Sequence, residues 1–344
     1  MVKPRICIVS PSTAAANNGN WHTAARWGRF LAPIAQVEIA LEWDGRPADL
    51  LMALHARKSA ASVQRFQAAH PGRPVVVVLT GTDLYRDLDT DKDAQHAVEC
   101  ASRLVTLQPE ALGRLNAAGR AKATVVLQSA PRLVRHDAAQ RHIDLVAVGH
   151  LREEKDPLTL MAAARLLPPD LPVRVVHIGA ALDPALGEAA ARTMADCPRY
   201  RWLGALPQPA ARRWIARARA VVHMSRMEGG AHVVIEAVRS RVPVLASHID
   251  GNVGLLGRDY GGYFPVGDAA ALAALIERFC TDTAWRARLA AQCAALEPRF
   301  APAAEAAAVR TLVTGLLAGA SVPASHPPAS PGCVDNPSPL APTR

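Results

Sequence analysis

Aromatic residues make up only 4% of this 344-residue chain, and no lysine-rich block interrupts it. Aromatic platforms and basic runs are what nucleic-acid binding modules use, so both absences weigh against that class. The six cysteines stand apart at 7, 100, 197, 280, 293 and 333, with no CxxC pair. That spacing argues against a disulfide scaffold or a zinc knot. No apolar run approaches the length of a membrane span. The first residues enter a strand pattern with no signal segment, so the expectation is a soluble, cytoplasmic protein. An Asp-x-Asp spacing occurs at Asp87-Leu88-Asp89, in the first half of the chain.

What is present is a chain half apolar, long enough for two domains with real cores. Its net charge of +9, from 39 basic and 30 acidic residues, fits either a small anionic substrate or a weak attraction to nucleic acid. Short apolar runs alternate with helical segments. Strands are expected at 4–10, 36–41, 49–55, 74–80, 103–107 and 124–127. The run at 74–80 (PVVVVLT) is continuous and apolar, as in a central parallel strand. The pattern restarts near Ile143, with strands at 144–148, 173–178, 200–203, 220–224, 244–247 and 262–264. Two Rossmann-like α/β units are therefore expected, facing across a cleft. Their extents are 1–135 and 140–300, with a last helix over 303–317. From Ser321 the chain turns to Ser, Ala and Pro, with seven prolines in 24 residues, and is expected to be a disordered tail.

The stretch 225–257 organises the second unit. Glu228 precedes two glycines and an apolar helical run that carries Glu236, which places the second carboxylate about two turns into that helix. A Gly-Gly turn lets backbone approach a ligand, and the first helical turn offers unpaired N–H groups to an anion. After the first strand of this unit comes Gly149-His150-Leu151-Arg152-Glu153-Glu154-Lys155. Arg152 and Lys155, three apart, can reach a cleft at a strand end and neutralise a phosphate group.

Together these features resemble the family 4 glycosyltransferases. Glu228, seven intervening residues and Glu236 fit that family's signature, and Arg152 and Lys155 match its basic pair. The resemblance extends through 175–179, 202–206, 262–268 and the last helix, which looks like the family's crossover back to the first domain. It implies an α/β GT-B fold, a nucleotide-sugar donor, and no cofactor or metal. Arg152 and Lys155 would hold the diphosphate, and Glu236 the ribose hydroxyls. Glu228 and the amides of Gly229, Gly230 and Ala231 would meet the sugar and phosphates. Gly149, Gly179 and Leu203 would line the donor site. In the first domain, Asn17-Asn18-Gly19-Asn20-Trp21-His22 resembles the family's glycine-bearing loop without its double glycine. Asn18 and Gly19 would approach the phosphates. Many relatives carry a sugar-contacting histidine where this chain reads Thr80-Gly81-Thr82-Asp83, so that role falls to Asp83 or His22. The catalytic set implied is Glu228, Arg152, Lys155, His22 and Asp83.

The phrases NNGNWHTAARW, LHARKSA, LTGTDLYRDL and EGGAHVVIEA are similar to those of the selenosugar synthases of selenoneine biosynthesis. That resemblance implies UDP-N-acetylglucosamine and selenophosphate as small-molecule substrates. The acceptor site would draw on His22, His55, Arg57, Lys58, Thr82, Arg86 and Arg226. Selenium is a strong nucleophile and needs little help from a base. An N-acetyl pocket could form near Ile249-Asp250-Gly251-Asn252. Three other readings stay open: a hydroxyl-acceptor transferase, a nucleotide-sugar epimerase and a non-catalytic nucleotide-sugar-binding protein.

Overall fold

A computed structural model describes residues 2–13, 19–133 and 142–320. Asn18 and the segment from 321 onward, expected above to be a disordered tail, lie outside the described residues.

The first half contains β1 (Arg5–Val9), α1 (Gly19–Leu31), β2 (Gln36–Ala40), β3 (Leu50–Leu54), α2 (Ala60–Ala69) and β4 (Val75–Leu79). A wide helical turn, Asp83–Asp87, then leads through α3 (Leu88–Thr90) to α4 (Lys92–Cys100) and β5 (Arg103–Thr106). A 3-10 turn, Pro109–Arg114, precedes α5 (Ala117–Ala121) and β6 (Ala123–Val125). The second half runs β7 (Ile143–Val148), α6 (Pro157–Leu166), β8 (Val173–Ile178), α7 (Pro184–Asp196), β9 (Tyr200–Trp202), α8 (Gln208–Arg217) and β10 (Ala220–His223). It continues through α9 (His232–Arg239), β11 (Val244–Ser247), α10 (Asp250–Leu256), β12 (Tyr263–Phe264), α11 (Ala269–Thr281), α12 (Thr283–Leu296) and α13 (Pro302–Ala320).

Every strand pairing is parallel. One sheet has the order β2-β1-β3-β4-β5-β6 and the other β12-β11-β10-β7-β8-β9. The strand order reverses beside β1 and β3 in the first sheet and beside β7 and β10 in the second. Crevices open at such reversals, beyond the carboxyl ends of the strands. The central strands β3 and β4 are buried at every residue, as their unbroken apolar sequence requires, whereas edge strand β2 is half exposed and mixes Gln36 and Glu38 with Val37 and Ile39.

Helix α13 returns to the first sheet, where Val309 and Val313 pack with Trp27 and Leu31. Its Glu305 is buried and accepts hydrogen bonds from Arg26 Nε (2.7 Å), Trp27 Nε1 (2.7 Å), and the Ser129 amide and hydroxyl (2.7 and 2.5 Å). The two chain crossings between the sheets also touch, through Ala130 N to Phe300 O at 3.3 Å. One polar cluster therefore fixes the linker and the returning helix to the first domain.

No single helix among the described residues is long and apolar enough to cross a membrane. The bent pair Thr283–Phe300 and Pro302–Gly319 reaches that composition only jointly, and its Trp285, Leu289, Phe300, Val309 and Val313 are buried in the two cores.

Two local expectations change. Helix α9 starts at His232, so Glu236 lies little more than one turn in, because the Gly-Gly turn and Ala231 stay outside the helix. Residues 250–256, which take in most of the stretch expected to form an N-acetyl pocket, form α10.

Candidate active site

The loop after β7 begins at Gly149. A side chain at Gly179, after β8, would collide with the Gly149 carbonyl, so the two strand-end loops touch backbone to backbone. The stem of Lys155 runs over Gly149, where an added Cβ would meet its Cδ at 3.5 Å. His150 Nδ1 accepts the Ala180 amide at 3.1 Å and ties the same loops. Trp202 Nε1 donates to Gly179 O at 2.9 Å, and the next residue, Leu203, is exposed. Arg152 is half exposed and lies 3.9 Å from Glu154.

The Lys155 ammonium donates to Glu228 Oε1. Ser225 Oγ donates to the same oxygen at 2.8 Å, and His223 Nε2 lies 3.5 Å from it. Burial opposes ionisation of Glu228, but the charges of Lys155 and His223 overcome it and hold the carboxyl well below the usual carboxylate range. Lys155 and Ser225 both donate to Oε1, His223 Nε2 pairs with Ser225 Oγ at 3.2 Å, and Oε2 has no hydrogen-bond partner among the described residues. Behind Ser225, Ser247 Oγ donates to the Ser225 carbonyl (2.6 Å), and Asn252 Nδ2 donates to the Ser247 carbonyl (2.8 Å). Asn252 is fully buried. It anchors the glutamate loop.

The glycines after Glu228 have a different surrounding from the one expected. A Cβ on Gly229 would strike the Thr80 carbonyl, and one on Gly230 would lie 2.8 Å from Leu107 Cβ. Both belong to the first domain. Gly254 in α10 is pressed in the same way against Gln108, and Gly251 against the Glu228 carbonyl. At Gly229, Gly230 and Gly254 the close approach is domain against domain, and at Gly251 it is within the second domain. Ala231 is buried beside them.

Glu236 is buried and lies 3.3 Å from Arg212 Nε and 3.5 Å from His232 Nδ1. The other ring nitrogen of His232 is 3.1 Å from the Ser129 carbonyl in the linker. From the first domain, His22 faces this group on α1, which Gly19 opens. Burial and the neighbouring His232 push His22 below its ordinary value, with Glu236 pulling the other way.

Of the remaining acceptor-side residues, all but Lys58 are paired or at least partly enclosed. Asp83 is fully buried; its Oδ1 accepts the Thr80 and Gly81 amides (2.9 and 2.8 Å) and its Oδ2 the Ala56 amide (2.9 Å). In this structure it anchors the loops after β3 and β4 from inside. Arg57 pairs with Asp91 at 2.8 Å, and Arg226 with Asp156 at 3.4 Å. Arg86 pairs with Asp87 (3.3 Å) and, across the cleft, with Glu154 (3.4 Å). Lys58 is exposed, and His55 is buried beside Thr82. Asp89 pairs with Arg114. No group of three or more His, Cys, Asp or Glu among the described residues is placed to hold a metal.

The sequence reading missed His223, Ser225, Ser247, Arg212 and His232. His223 ends a buried strand and Ser247 another, positions that look like core. The only signal was their place at strand C-termini, where ligand sites gather in parallel sheets.

Residues 134–294 match the family model for glycosyl transferases group 1. HepE of Anabaena, solved with UDP and glucose, superposes with a TM-score of 0.74 at 16% identity, covering 91% of this chain and 100% of that one. Sucrose-phosphate synthase of Thermosynechococcus elongatus gives 0.75 at 15% identity, covering 92% and 100%. The pneumococcal O-GlcNAc transferase GtfA, solved with UDP and GlcNAc, gives 0.63 at 17% identity, covering 78% and 57%. These likenesses establish the fold as GT-B: two Rossmann-like domains facing across a cleft.

Proposed function

We propose that the protein is a UDP-sugar-dependent glycosyltransferase that moves N-acetylglucosamine from UDP-N-acetylglucosamine to selenophosphate. The observation that carries the transferase reading is the meeting of Lys155 and Glu228 at the reversal point of the second sheet, directly against the Thr80–Gly81 loop of the first domain. A nucleotide-sugar diphosphate bound there meets the Lys155 ammonium and the half-exposed Arg152. Both cations neutralise the charge that grows as the glycosidic C–O bond breaks. On this reading Glu228 Oε2 would meet a sugar hydroxyl, and Glu236 would take the ribose hydroxyls. The 140–300 domain serves the donor, and the 1–135 domain with helix 303–318 serves the acceptor.

In the reaction, a selenium lone pair of selenophosphate forms the bond to C1 while the C1–O electron pair leaves with UDP. Hydrolysis of the P–Se bond by water then releases phosphate and gives the 1-seleno sugar. The choice of selenophosphate rests on the resemblance of the strand-end phrases to the selenosugar synthases. Of the cations proposed for that anion, Lys58 is exposed, while Arg57, Arg86 and Arg226 would have to exchange their carboxylate partners for it. The neighbours solved with UDP, and GtfA with GlcNAc, support the donor.

The test is UDP release from a panel of UDP-sugars with and without selenophosphate, read with product mass. Selenophosphate-dependent release of UDP together with a selenium-bearing N-acetylhexosamine is expected. Donor binding without that release would remove selenophosphate as the acceptor, and no binding of any UDP-sugar would remove the transferase reading.

A further inference from the structure

His55 is one of three non-glycine residues with positive φ among the described residues, at 72°. A non-glycine side chain in that region costs energy, and such positions persist where the surroundings fix them. It follows β3, beside the reversal point of the first sheet, and is 3% exposed. Its Nδ1 faces the Lys58 amide at 3.4 Å, and its Nε2 lies 3.0 Å from Thr82 Oγ1. An amide N–H can only donate, so Nδ1 is the acceptor and Nε2 carries the hydrogen. Thr82 Oγ1 then accepts from the ring, and its own hydrogen has no acceptor among the described residues.

Thr82 is half-buried and follows Gly81, where an added Cβ would lie 3.1 Å from the Gly229 amide. The free hydroxyl hydrogen therefore belongs to the loop that meets the Glu228-Gly229 turn. We infer that His55 is a positioning residue that turns the Thr82 hydroxyl into a fixed donor for the acceptor anion, and that it does not bind the anion itself. This rests on the transferase reading above and reassigns His55 from anion ligand to support. Burial pushes the ring below its ordinary value; Asp83 and Asp87 oppose this, and Lys58 adds to it. The charged groups facing it are thus Asp83, Lys58 and Asp87, the last lying 4.0 Å from Nε2 and shared with Arg57. The neutral ring is the working form, because a proton on Nδ1 would remove the acceptor of the Lys58 amide.

The experiment compares selenophosphate-dependent UDP release by wild type, Thr82→Ser, Thr82→Val, His55→Asn and the His55→Asn/Thr82→Val double variant. Asparagine tolerates positive φ and can accept the Lys58 amide, but is too short to reach Thr82. Thr82→Val and His55→Asn are each expected to lower kcat/KM for selenophosphate by about ten- to a hundredfold, with KM for the UDP-sugar unchanged. The double variant should be no worse than Thr82→Val, since coupled residues are not additive. Thr82→Ser should recover most of the rate. The ratio of wild-type to His55→Asn rates, which cancels the titration of selenophosphate, should fall toward one as pH drops below the ordinary histidine range.

Wild-type rates in Thr82→Val, additive losses in the double variant, or a pH-independent ratio would each overturn the inference. If wild type itself gives no selenophosphate-dependent release, the proposed function fails. The nitrogen-15 spectrum of His55 then decides the inference alone. A hydrogen on Nε2 whose shift moves in Thr82→Val supports it, and a hydrogen on Nδ1 refutes it.

Discussion

Trp27 Nε1 donates to Glu305 Oε1 across 2.7 Å, joining residues 278 positions apart. The other oxygen of Glu305 holds Arg26 and Ser129, so one buried carboxylate fastens α1, the linker and α13. Replacing it leaves the Arg26 guanidinium buried without its partner. Glu305→Ala should therefore cost about 3–5 kcal/mol of stability, visible as a lower midpoint in chemical unfolding. An unchanged midpoint would show that the apolar contacts of Val309 and Val313 hold α13 unaided.

Lys155→Ala and Arg152→Ala should cut turnover, the former by about a hundred- to a thousandfold; the half-exposed Arg152 can be lost with an unfolding curve close to wild type, whereas loss of Lys155 leaves Glu228 without its cation and lowers the midpoint. Steady-state UDP release is the measurement. Near-wild-type rates in either variant would remove that residue from the diphosphate site.

A methyl group at Gly229 has nowhere to go but into the Thr80 carbonyl. Gly229→Ala should push the domains apart, raise the radius of gyration in X-ray scattering and depress turnover. Gly315, in α13, has open space around it. There the same change should leave turnover intact and add about 0.5–1 kcal/mol of stability through helix propensity.

His177 is fully enclosed, with Nδ1 2.8 Å from the Tyr200 hydroxyl, and burial pushes it down to about 4. The folded ring binds its proton less readily than the unfolded one. Stability from this residue is therefore full above the unfolded value near 6.5 and is lost as pH falls toward 4. The loss is about 3 kcal/mol, at 1.36 kcal/mol per unit. Unfolding free energies measured between pH 7 and 4 should show this slope in wild type, and His177→Gln should flatten it.

The twelve strands and their division into two sheets were legible because parallel strands buried on both faces must be short apolar runs, and Val75–Leu79 or Val173–Ile178 can be little else. The residue types of the second-domain loops were legible too, since Glu228, Arg152 and Lys155 follow strand ends directly. Their mutual geometry was not. That two donors converge on one oxygen of Glu228, or that Asp83 spends its carboxylate on three amides, depends on loops whose conformations follow from packing.

The sequence by itself determined the α/β alternation, the strand order along the chain and the chemistry available at each strand end, because these follow from local hydrophobic period and residue type. Only the tertiary structure decided what the glycines of 229 and 230 accommodate, which histidines stand behind Glu228 and Thr82, and where Glu305 anchors. Those are contacts between residues tens to hundreds of positions apart. Packing two domains face to face selects them, and no local pattern encodes that choice.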